Sequence, residues 1–236
     1  MRNFNALLLD LDGTLLDIDM AFFIGPFVEE IHGFFSDVLG REKFREGLFG
    51  GTEAIMTAPR PDGETNRDGF FRIFCRITGL NLTEAERRFE KFYATAFPTM
   101  GSFARPINGG KEFVTRAAES GYVMALATNP IFPVRATLER VRWAGLDPNL
   151  FNFLPGLENM SSCKPSLRYF LDVAACLGVK PETCLMVGND MEQDLPAADV
   201  GMGTYLVKGR VIARGEPARE PDGKGTLEEL AEMLGI

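Results

Sequence analysis

The sequence has little of the residue types that support histidine, zinc or disulfide chemistry. It contains a single histidine, His32, so catalysis by several histidines is disfavoured and this side chain is expected to pack or lie on the surface. Its four cysteines, Cys75, Cys163, Cys176 and Cys184, are far apart and form no CxxC pair. Neither a zinc cluster nor a disulfide framework is indicated, which favours a reducing, cytoplasmic location.

Positive charge and long apolar runs are also scarce. The chain has 25 Lys and Arg against 33 Asp and Glu, a formal net charge of -8. Nucleic acid is therefore not expected as a partner, because phosphate backbones are bound by clustered basic residues. No stretch approaches the roughly 20 apolar residues that span a bilayer, and the N-terminal run is too short for a signal peptide. We expect a small-molecule ligand and no membrane partner, and the oligomeric state stays open.

Hydrophobic residues, by contrast, make up 45% of the 236 residues, enough to bury a sizeable core. Five short apolar runs predict buried strands over residues 6–11, 122–128, 152–154, 184–187 and 204–207. Helical patterns over residues 111–120 and 165–177 alternate with them, and a capping box at Thr226 and Glu229 predicts a last helix. This alternation predicts an α/β fold with a parallel sheet between two helical layers.

The region from residue 17 to residue 101 breaks the alternation. It has helical periodicity, no strand-like run and thirteen of the twenty phenylalanines. We expect an all-helical cap domain here, inserted into a core of residues 1–16 and 102–236. Its phenylalanines are expected to form its own core, with a few rings left to line a cleft. Turn-forming residues predict a connection over residues 57–69 and a loop over residues 208–225.

Polar residues follow the predicted strands at the point where each strand ends. The carboxyl ends of parallel strands meet at one edge of a sheet, where ligands bind, so these residues are expected to converge. They are Asp10, Asp12, Thr128, Asn129, Asn189, Asp190 and Asp194, joined by Lys164 from the start of a predicted helix. Taken singly, each has a structural explanation, such as a turn or a surface lysine, and their combination favours a site.

A phosphate ester would use each of these residue types. Asp10 can attack phosphorus to form an aspartyl-phosphate, and Asp12 can protonate the leaving oxygen and later activate water. Gly13 allows a turn with no side chain to crowd the phosphate. Lys164 adds positive charge just ahead of Pro165, which is expected at the first position of a helix, where backbone amides favour anions.

The repulsion between a carboxylate and a phosphate predicts a cation between them. Asp10 and Asp190 supply the hard oxygen ligands that suit Mg²⁺. Thr128 and the amide of Asn129 complete the expected phosphate donors. For Asp194 the alternative is a solvated acid in the first turn of a helix.

These residues occur in the order of a known set of motifs. DLDGT at residues 10–14, Thr128, the lysine of CKP at Lys164 and GNDMEQD at residues 188–194 resemble the four signature motifs of the haloacid dehalogenase superfamily. RPINGGKEFVTRAAESGYVMALATN, residues 105–129, also resembles that family's approach to its second motif. The resemblance covers nearly all of the chain except the details of the insertion. One departure is Asn189, because the family commonly has aspartate directly after this glycine.

The resemblance implies a Rossmann-like core, a mobile helical cap and a role for each motif residue. Asp10 would be the nucleophile and Asp12 the general acid and base. Mg²⁺ would be held by Asp10, Asp190 and the backbone carbonyl of Asp12. The residues expected at the phosphate are Gly13, Thr128, Asn129 and Lys164, and those expected behind the metal ligands are Asn189 and Asp194.

The function expected from this pattern is Mg²⁺-dependent hydrolysis of a small phosphorylated metabolite. A phosphomutase of the same fold is the alternative, since it needs the same acids and a cap that retains the intermediate. A haloacid dehalogenase fits less well, because Asp12 would have no leaving oxygen to protonate. Outside enzymes, the chain could bind phosphate and Mg²⁺ or accept a phosphoryl group, but neither role needs a general acid.

Overall fold

A computed structural model describes residues 4–58, 61, 63–215 and 219–236. Its strands are β1 (Ala6–Leu9), β2 (Leu16–Ile18), β3 (Ala104–Pro106), β4 (Val123–Leu126), β5 (Cys184–Gly188), β6 (Gly203–Val207) and β7 (Gly223–Gly225). Five of them form one sheet in the order β4-β1-β5-β6-β7, in which every neighbouring pair is parallel. The other two, β2 and β3, form a separate antiparallel pair.

Helices cover both faces of the five-stranded sheet. The α-helices of the described residues are α1 (Met20–Gly33), α2 (Arg41–Thr57), α3 (Asn66–Thr78), α4 (Leu82–Thr95), α5 (Gly110–Glu119), α6 (Val134–Trp143), α7 (Leu167–Leu177) and α8 (Leu227–Leu234). Of these, α5 and α7 lie on opposite faces of the sheet, and α1 to α4 belong to the insertion. Side chains alternate between the two faces along a strand, so Leu7 of β1 belongs to the same buried cluster as Phe113 of α5, while Leu8 belongs to the cluster that contains Tyr169 of α7. This arrangement confirms the predicted three-layer α/β/α fold.

The insertion is helical, as predicted, and consists of α1 to α4 between β2 and β3. Its phenylalanines pack against one another, with the rings of Phe35 and Phe44 5.0 Å apart. The connection predicted over residues 57–69 is shorter in the structure, because α2 continues to Thr57 and a capping box of Thr65 and Asp68 starts α3. Residues 59, 60 and 62 of that connection lie outside the described residues.

Several elements differ from the sequence-based predictions, including the short strands β2 and β3, which were not predicted. The prediction of a strand over residues 152–154 is wrong. A single bridge pairs Phe153 with Ala125, and the predicted strand is directly followed by Pro155, which has no N–H to donate. The predicted loop over 208–225 ends in β7, whose Gly-Lys-Gly sequence carries no strand signal, and residues 216–218 of it are outside the described part. The charge-rich α6 was not predicted either.

The start of α7 also differs from the prediction. Pro165 is not in the helix, which begins at Leu167, and the Lys164-Pro165 peptide before it is cis. The argument that helix amides beside Lys164 favour an anion is therefore wrong. The predicted capping box at Thr226 and Glu229 is confirmed at the start of α8. Of the helices in the described residues, none is long and apolar enough to cross a membrane.

Candidate active site

The residues that follow β1, β4 and β5 meet at one edge of the sheet. The backbone N–H of Asp10 still donates to Val187 of β5 at 2.9 Å, so the position of this carboxyl group is fixed by the strand pairing. Asp10, Thr128, Lys164 and Asn189 are all buried there. The convergence expected from a parallel sheet is thus present.

Lys164 lies between two buried carboxylates. Its Nζ is 2.8 Å from Asp10 Oδ1 and 2.6 Å from Asp194 Oδ1. Burial raises the pKa of Asp10 to about 7, against the opposing effect of the Lys164 charge. Burial alone would lower the pKa of Lys164, but the two carboxylates outweigh burial and raise it. When all three groups are ionised, the cluster keeps one excess negative charge, and Asp194 is a buried partner rather than a solvated acid.

Asn189 lies beside the turn that follows β1. The hydroxyl of Thr14 is 3.0 Å from Asn189 Oδ1 and 3.3 Å from Asp10 Oδ2, so it can donate to either oxygen. The amide of Asn189 donates to the carbonyl of Arg210 at 2.7 Å. Gly13 has a φ of +82°, and a Cβ there would lie 2.3 Å from Asn189 Nδ2, so only glycine fits this approach. Thr14 had no role in the sequence analysis, although it belongs to the DLDGT motif.

The carboxylate of Asp190 is held by a partner that the sequence analysis missed. Arg214 Nη1 is 3.0 Å from Asp190 Oδ1 and Nη2 is 2.8 Å from Oδ2, a two-pronged pairing. The backbone N–H groups of Glu192 and Gln193 also donate to Oδ1. Within the part of the chain that the structure describes, no hydrogen bond or ion pair joins the Asp190 side chain to Asp10. Arg214 lies in the predicted loop, where no sequence pattern marks a partner.

The two residues after β4 are fixed from neighbouring segments. Asn129 Oδ1 accepts the backbone N–H of Lys164 at 2.8 Å, and its amide donates to Gln193 at 3.1 Å. The buried hydroxyl of Tyr169 donates to the carbonyl of Thr128 at 2.9 Å. Asn129 therefore ties the segment that carries Lys164 to the segment after β5. Thr128 is buried at the same edge, where its backbone is held in place from α7.

Asp12 is paired with a buried arginine from α6. Arg140 donates through Nη2 to Asp12 Oδ2, and its side chain is 3% exposed while that of Asp12 is 25% exposed. The guanidinium carbon of Arg140 lies 5.0 Å from the centre of the Phe132 ring, a cation–π contact. Because α6 carries three arginines and a glutamate along its length, its sequence does not indicate which arginine points inward.

A divalent cation fits the chemistry of this edge. Asp10 and Asn189 offer carboxylate and amide oxygens, and the cluster with Lys164 has excess negative charge before any phosphate binds. Mg²⁺ in proteins commonly uses one or two carboxylates and completes its coordination with water and phosphate. Among the described residues no three His, Cys, Asp or Glu side chains are grouped to hold a metal, so few protein side chains would hold it.

A cavity of about 470 Å³ lies between the helical insertion and the segment after β4. Its wall is mainly apolar and includes the rings of Phe27, Phe70, Phe89 and Phe132. The residues predicted at the phosphate are absent from this wall, although Phe132 also contacts Arg140. Some rings of the insertion therefore line a cavity, as the sequence analysis allowed.

Two curated proteins resemble the chain over most of its length. Pyrophosphatase PpaX of Halalkalibacterium halodurans is 25% identical over 232 residues, 98% of this chain and 96% of that protein. N-acetylmuramic acid 6-phosphate phosphatase of Pseudomonas aeruginosa is 23% identical over 207 residues, 86% of this chain and 81% of that protein. The prediction of a phosphatase-type hydrolase agrees with both names.

Solved structures share the fold at lower identity. A HAD phosphatase from Thermococcus onnurineus is 23% identical with a TM-score of 0.63, and covers 98% of both chains. A 2-haloacid dehalogenase from Pseudomonas syringae is 19% identical with a TM-score of 0.65, again with 98% coverage of both chains. At these identities the structures show the fold alone, and the fold does not separate a phosphatase from a dehalogenase.

A family model matches the region that contains all four predicted motifs. It is described as a haloacid dehalogenase-like hydrolase and matches residues 4–200. The match extends over far more than half of the chain, and the resemblance noted in the sequence is confirmed. This chain belongs to the haloacid dehalogenase-like hydrolases.

Proposed function

We propose that this protein is a Mg²⁺-dependent phosphatase that hydrolyses a small phosphorylated metabolite through an aspartyl-phosphate on Asp10. The proposal rests on the buried contact between Asp10 and Lys164 at the edge of the sheet where ligands bind. Asp12 lies two residues after Asp10 in the chain. A dehalogenase has no need of an acid at Asp12, because a halide leaves unprotonated. The phosphatase names of the two curated relatives support the same conclusion.

The side chains would divide the reaction into two displacements. Asp10 would attack phosphorus while the bond to the leaving oxygen breaks, and Asp12 would give its proton to that oxygen. Asp12 would then take a proton from the water that attacks the aspartyl-phosphate, which releases phosphate and restores Asp10. Lys164 would offset charge on the phosphoryl oxygens, and Thr128 with the backbone amide of Asn129 would hold them.

The groups that would hold Mg²⁺ are Asp10, the backbone carbonyl of Asp12 and one side chain after β5. From the sequence, Asp190 is expected at the third position. We favour Asn189 instead, because its Oδ1 shares a hydroxyl donor with Asp10 while Asp190 is paired with Arg214. The bound cation would supply positive charge between the Asp10 carboxylate and the phosphate.

We propose that residues 17–101 act as a cap domain over the core of residues 1–16 and 102–236. The chain leaves and re-enters the core through the paired strands β2 and β3, so both connections lie side by side. The start of α3 is hydrogen-bonded to the segments around residues 130 and 160. A cap held there would keep bulk water from the aspartyl-phosphate until the leaving group departs.

The test is Mg²⁺-dependent release of inorganic phosphate from a panel of phosphorylated metabolites. Asp10→Asn should abolish release and leave the circular dichroism spectrum unchanged, because an amide does not attack phosphorus. The exposed Asp199→Asn is the matched control and should retain activity. Asp10→Asn activity above about a hundredth of wild type would overturn the assignment. Release without an added activating bisphosphate separates a phosphatase from a phosphomutase.

A further inference from the structure

Two buried cations lie at the candidate site, and they differ in how fully their charges are matched. Lys164 contacts two carboxylates, Asp10 and Asp194. Arg140, 2% exposed, contacts one oxygen of one carboxylate, that of Asp12. A guanidinium has five N–H donors in a planar fork, so one contact to a single oxygen does not use all of them.

The pairing of Arg140 with Asp12 is incomplete on both sides. Among the described residues, Arg140 Nη1 and Asp12 Oδ1 are buried and have no hydrogen-bond partner. An arginine and a carboxylate commonly pair through two parallel hydrogen bonds, and here the second bond is not made. A buried N–H of a charged group without a partner is costly, which points to a ligand atom as the missing partner.

The position of Arg140 indicates which part of a substrate it would meet. It contacts Asp12, which under the proposed function donates a proton to the leaving oxygen, whereas Lys164 contacts the nucleophile Asp10. The two cations are therefore assigned to different ends of the bond that breaks. Lys164 serves the phosphoryl group that is transferred, and Arg140 lies on the side of the leaving group.

We propose that Arg140 binds a second anionic group, a carboxylate or a phosphate, carried by the leaving group close to the oxygen that Asp12 protonates. This inference rests on the proposed phosphatase function and names its substrate class: phosphate esters or anhydrides with an acidic leaving group. Arg140 keeps its own protons throughout, and the only proton transferred to the leaving group comes from Asp12. Bidentate recognition of a carboxylate or phosphate is the task for which arginine is better suited than lysine.

The test compares two esters that differ only at the group Arg140 would bind. 2-Phosphoglycolate carries a carboxylate where 2-hydroxyethyl phosphate carries a hydroxymethyl group. Binding of each is measured by calorimetry to the full-length Asp10→Asn protein with Mg²⁺, so that turnover is not required. We expect the carboxylate ester to bind about tenfold to a hundredfold more tightly, the range of a charged hydrogen bond. Pyrophosphate, measured alongside, shows whether a phosphate is accepted in place of the carboxylate.

Arg140→Met, added to the same background, removes the charge and keeps the length of the side chain. It should abolish the preference for the carboxylate ester, while Arg140→Lys should restore part of it. Arg142→Met is the matched control, because Arg142 lies on the same helix, is exposed and pairs with Glu139. Its preference should equal that of the parent protein.

Two results would overturn the inference. One is equal affinity of the parent protein for the two esters, which needs no Arg140 variant and so does not depend on how that variant folds. The other is a folded Arg140→Met protein that loses affinity for both esters in equal proportion, which would make Arg140 a positioning residue for Asp12. Failure of the proposed function would show differently, as no phosphate release by wild type from any ester.

Discussion

Asn66 joins the helical insertion to the two segments that carry the phosphate-binding residues. It is the first residue of α3, and its side chain is fully buried. Its amide Nδ2 donates to the carbonyls of Pro130, at 3.2 Å, and Ser162, at 3.4 Å. Pro130 follows Asn129, and Ser162 lies two residues before Lys164. The backbone N–H groups of residues 66 and 67 add bonds to the carbonyls of Met160 and Leu157.

Asn66→Ala should lower the free energy of unfolding by about 2–3 kcal/mol. Each neutral hydrogen bond contributes about 0.5–1.5 kcal/mol, and two buried carbonyls would be left without their donor. Urea denaturation measures the loss directly. Asn66→Asp has nearly the same volume but no donor and should be at least as destabilising, because a carboxylate would then face the two carbonyls.

Asn66→Ala should also raise KM for phosphate esters. Its partners Pro130 and Ser162 lie within two residues of Asn129 and Lys164, which are proposed to hold the phosphate. Asn149→Ala is the control, since that asparagine is exposed and its amide donates to the nearby Asp147. It should change neither quantity. An Asn66→Ala protein that loses less than about 0.5 kcal/mol, the range of ordinary surface substitutions, would refute the argument that these bonds hold the insertion in place.

Two further predictions concern the metal and the last helix. Asn189→Asp should lower the Mg²⁺ concentration needed for half-maximal thermal stabilisation, because it adds a negative charge beside Asp10. Asp190→Ala should change that concentration by no more than about twofold. The opposite ranking of the two variants would identify Asp190 as the metal ligand. Glu229 accepts the backbone N–H of Thr226 in the α8 capping box, which holds the pKa of Glu229 below its usual range. The ionised form therefore adds stability at neutral pH that is lost as the pH falls through the folded-state pKa, so Glu229→Gln should destabilise at pH 7 and should differ less from wild type at about pH 3, below the ordinary glutamate pKa of about 4.3, in urea titrations. A difference that is equal at both pH values would contradict this reasoning.

The parts of the fold that the sequence predicted are those that depend on burial alone. β1, β4, β5 and β6 are fully or nearly buried, so their residues are continuously apolar and easy to recognise. β7 lies at the edge of the sheet and consists of Gly-Lys-Gly, a composition that does not favour a strand. It is a strand because it pairs with β6. The two-stranded β2–β3 pair depends in the same way on two segments about ninety residues apart in the chain.

The residues of the candidate site also fall into those that the sequence predicts and those that it does not. The motif residues Asp10 and Thr128 could be predicted because a parallel sheet brings the ends of its strands together, and Lys164 because CKP resembles the family's third motif. Arg140 and Arg214 could not, because each acts through ion pairs with residues far away in the chain. Periodicity shows which face of a helix is apolar, but it does not show which basic side chain on α6 or in a loop finds a carboxylate. Such pairings depend on the tertiary contacts of the finished fold.

Lys164, Arg140 and Arg214 together explain how this edge of the sheet can hold so many carboxylates. Three separate segments each supply one cation to the carboxylates that follow the strands, and an unpaired buried charge would otherwise cost several kcal/mol. The pairs are Lys164 with Asp10 and Asp194, Arg140 with Asp12, and Arg214 with Asp190. Asp12 is matched by Arg140, whereas Arg214 is shared between Asp190 and Glu192 towards the exposed rim. Beside the proposed nucleophile, the excess negative charge lies on the cluster of Asp10, Lys164 and Asp194 when both carboxylates are ionised. Mg²⁺ is proposed to bind there, because a phosphate that arrived without the cation would be repelled by that charge.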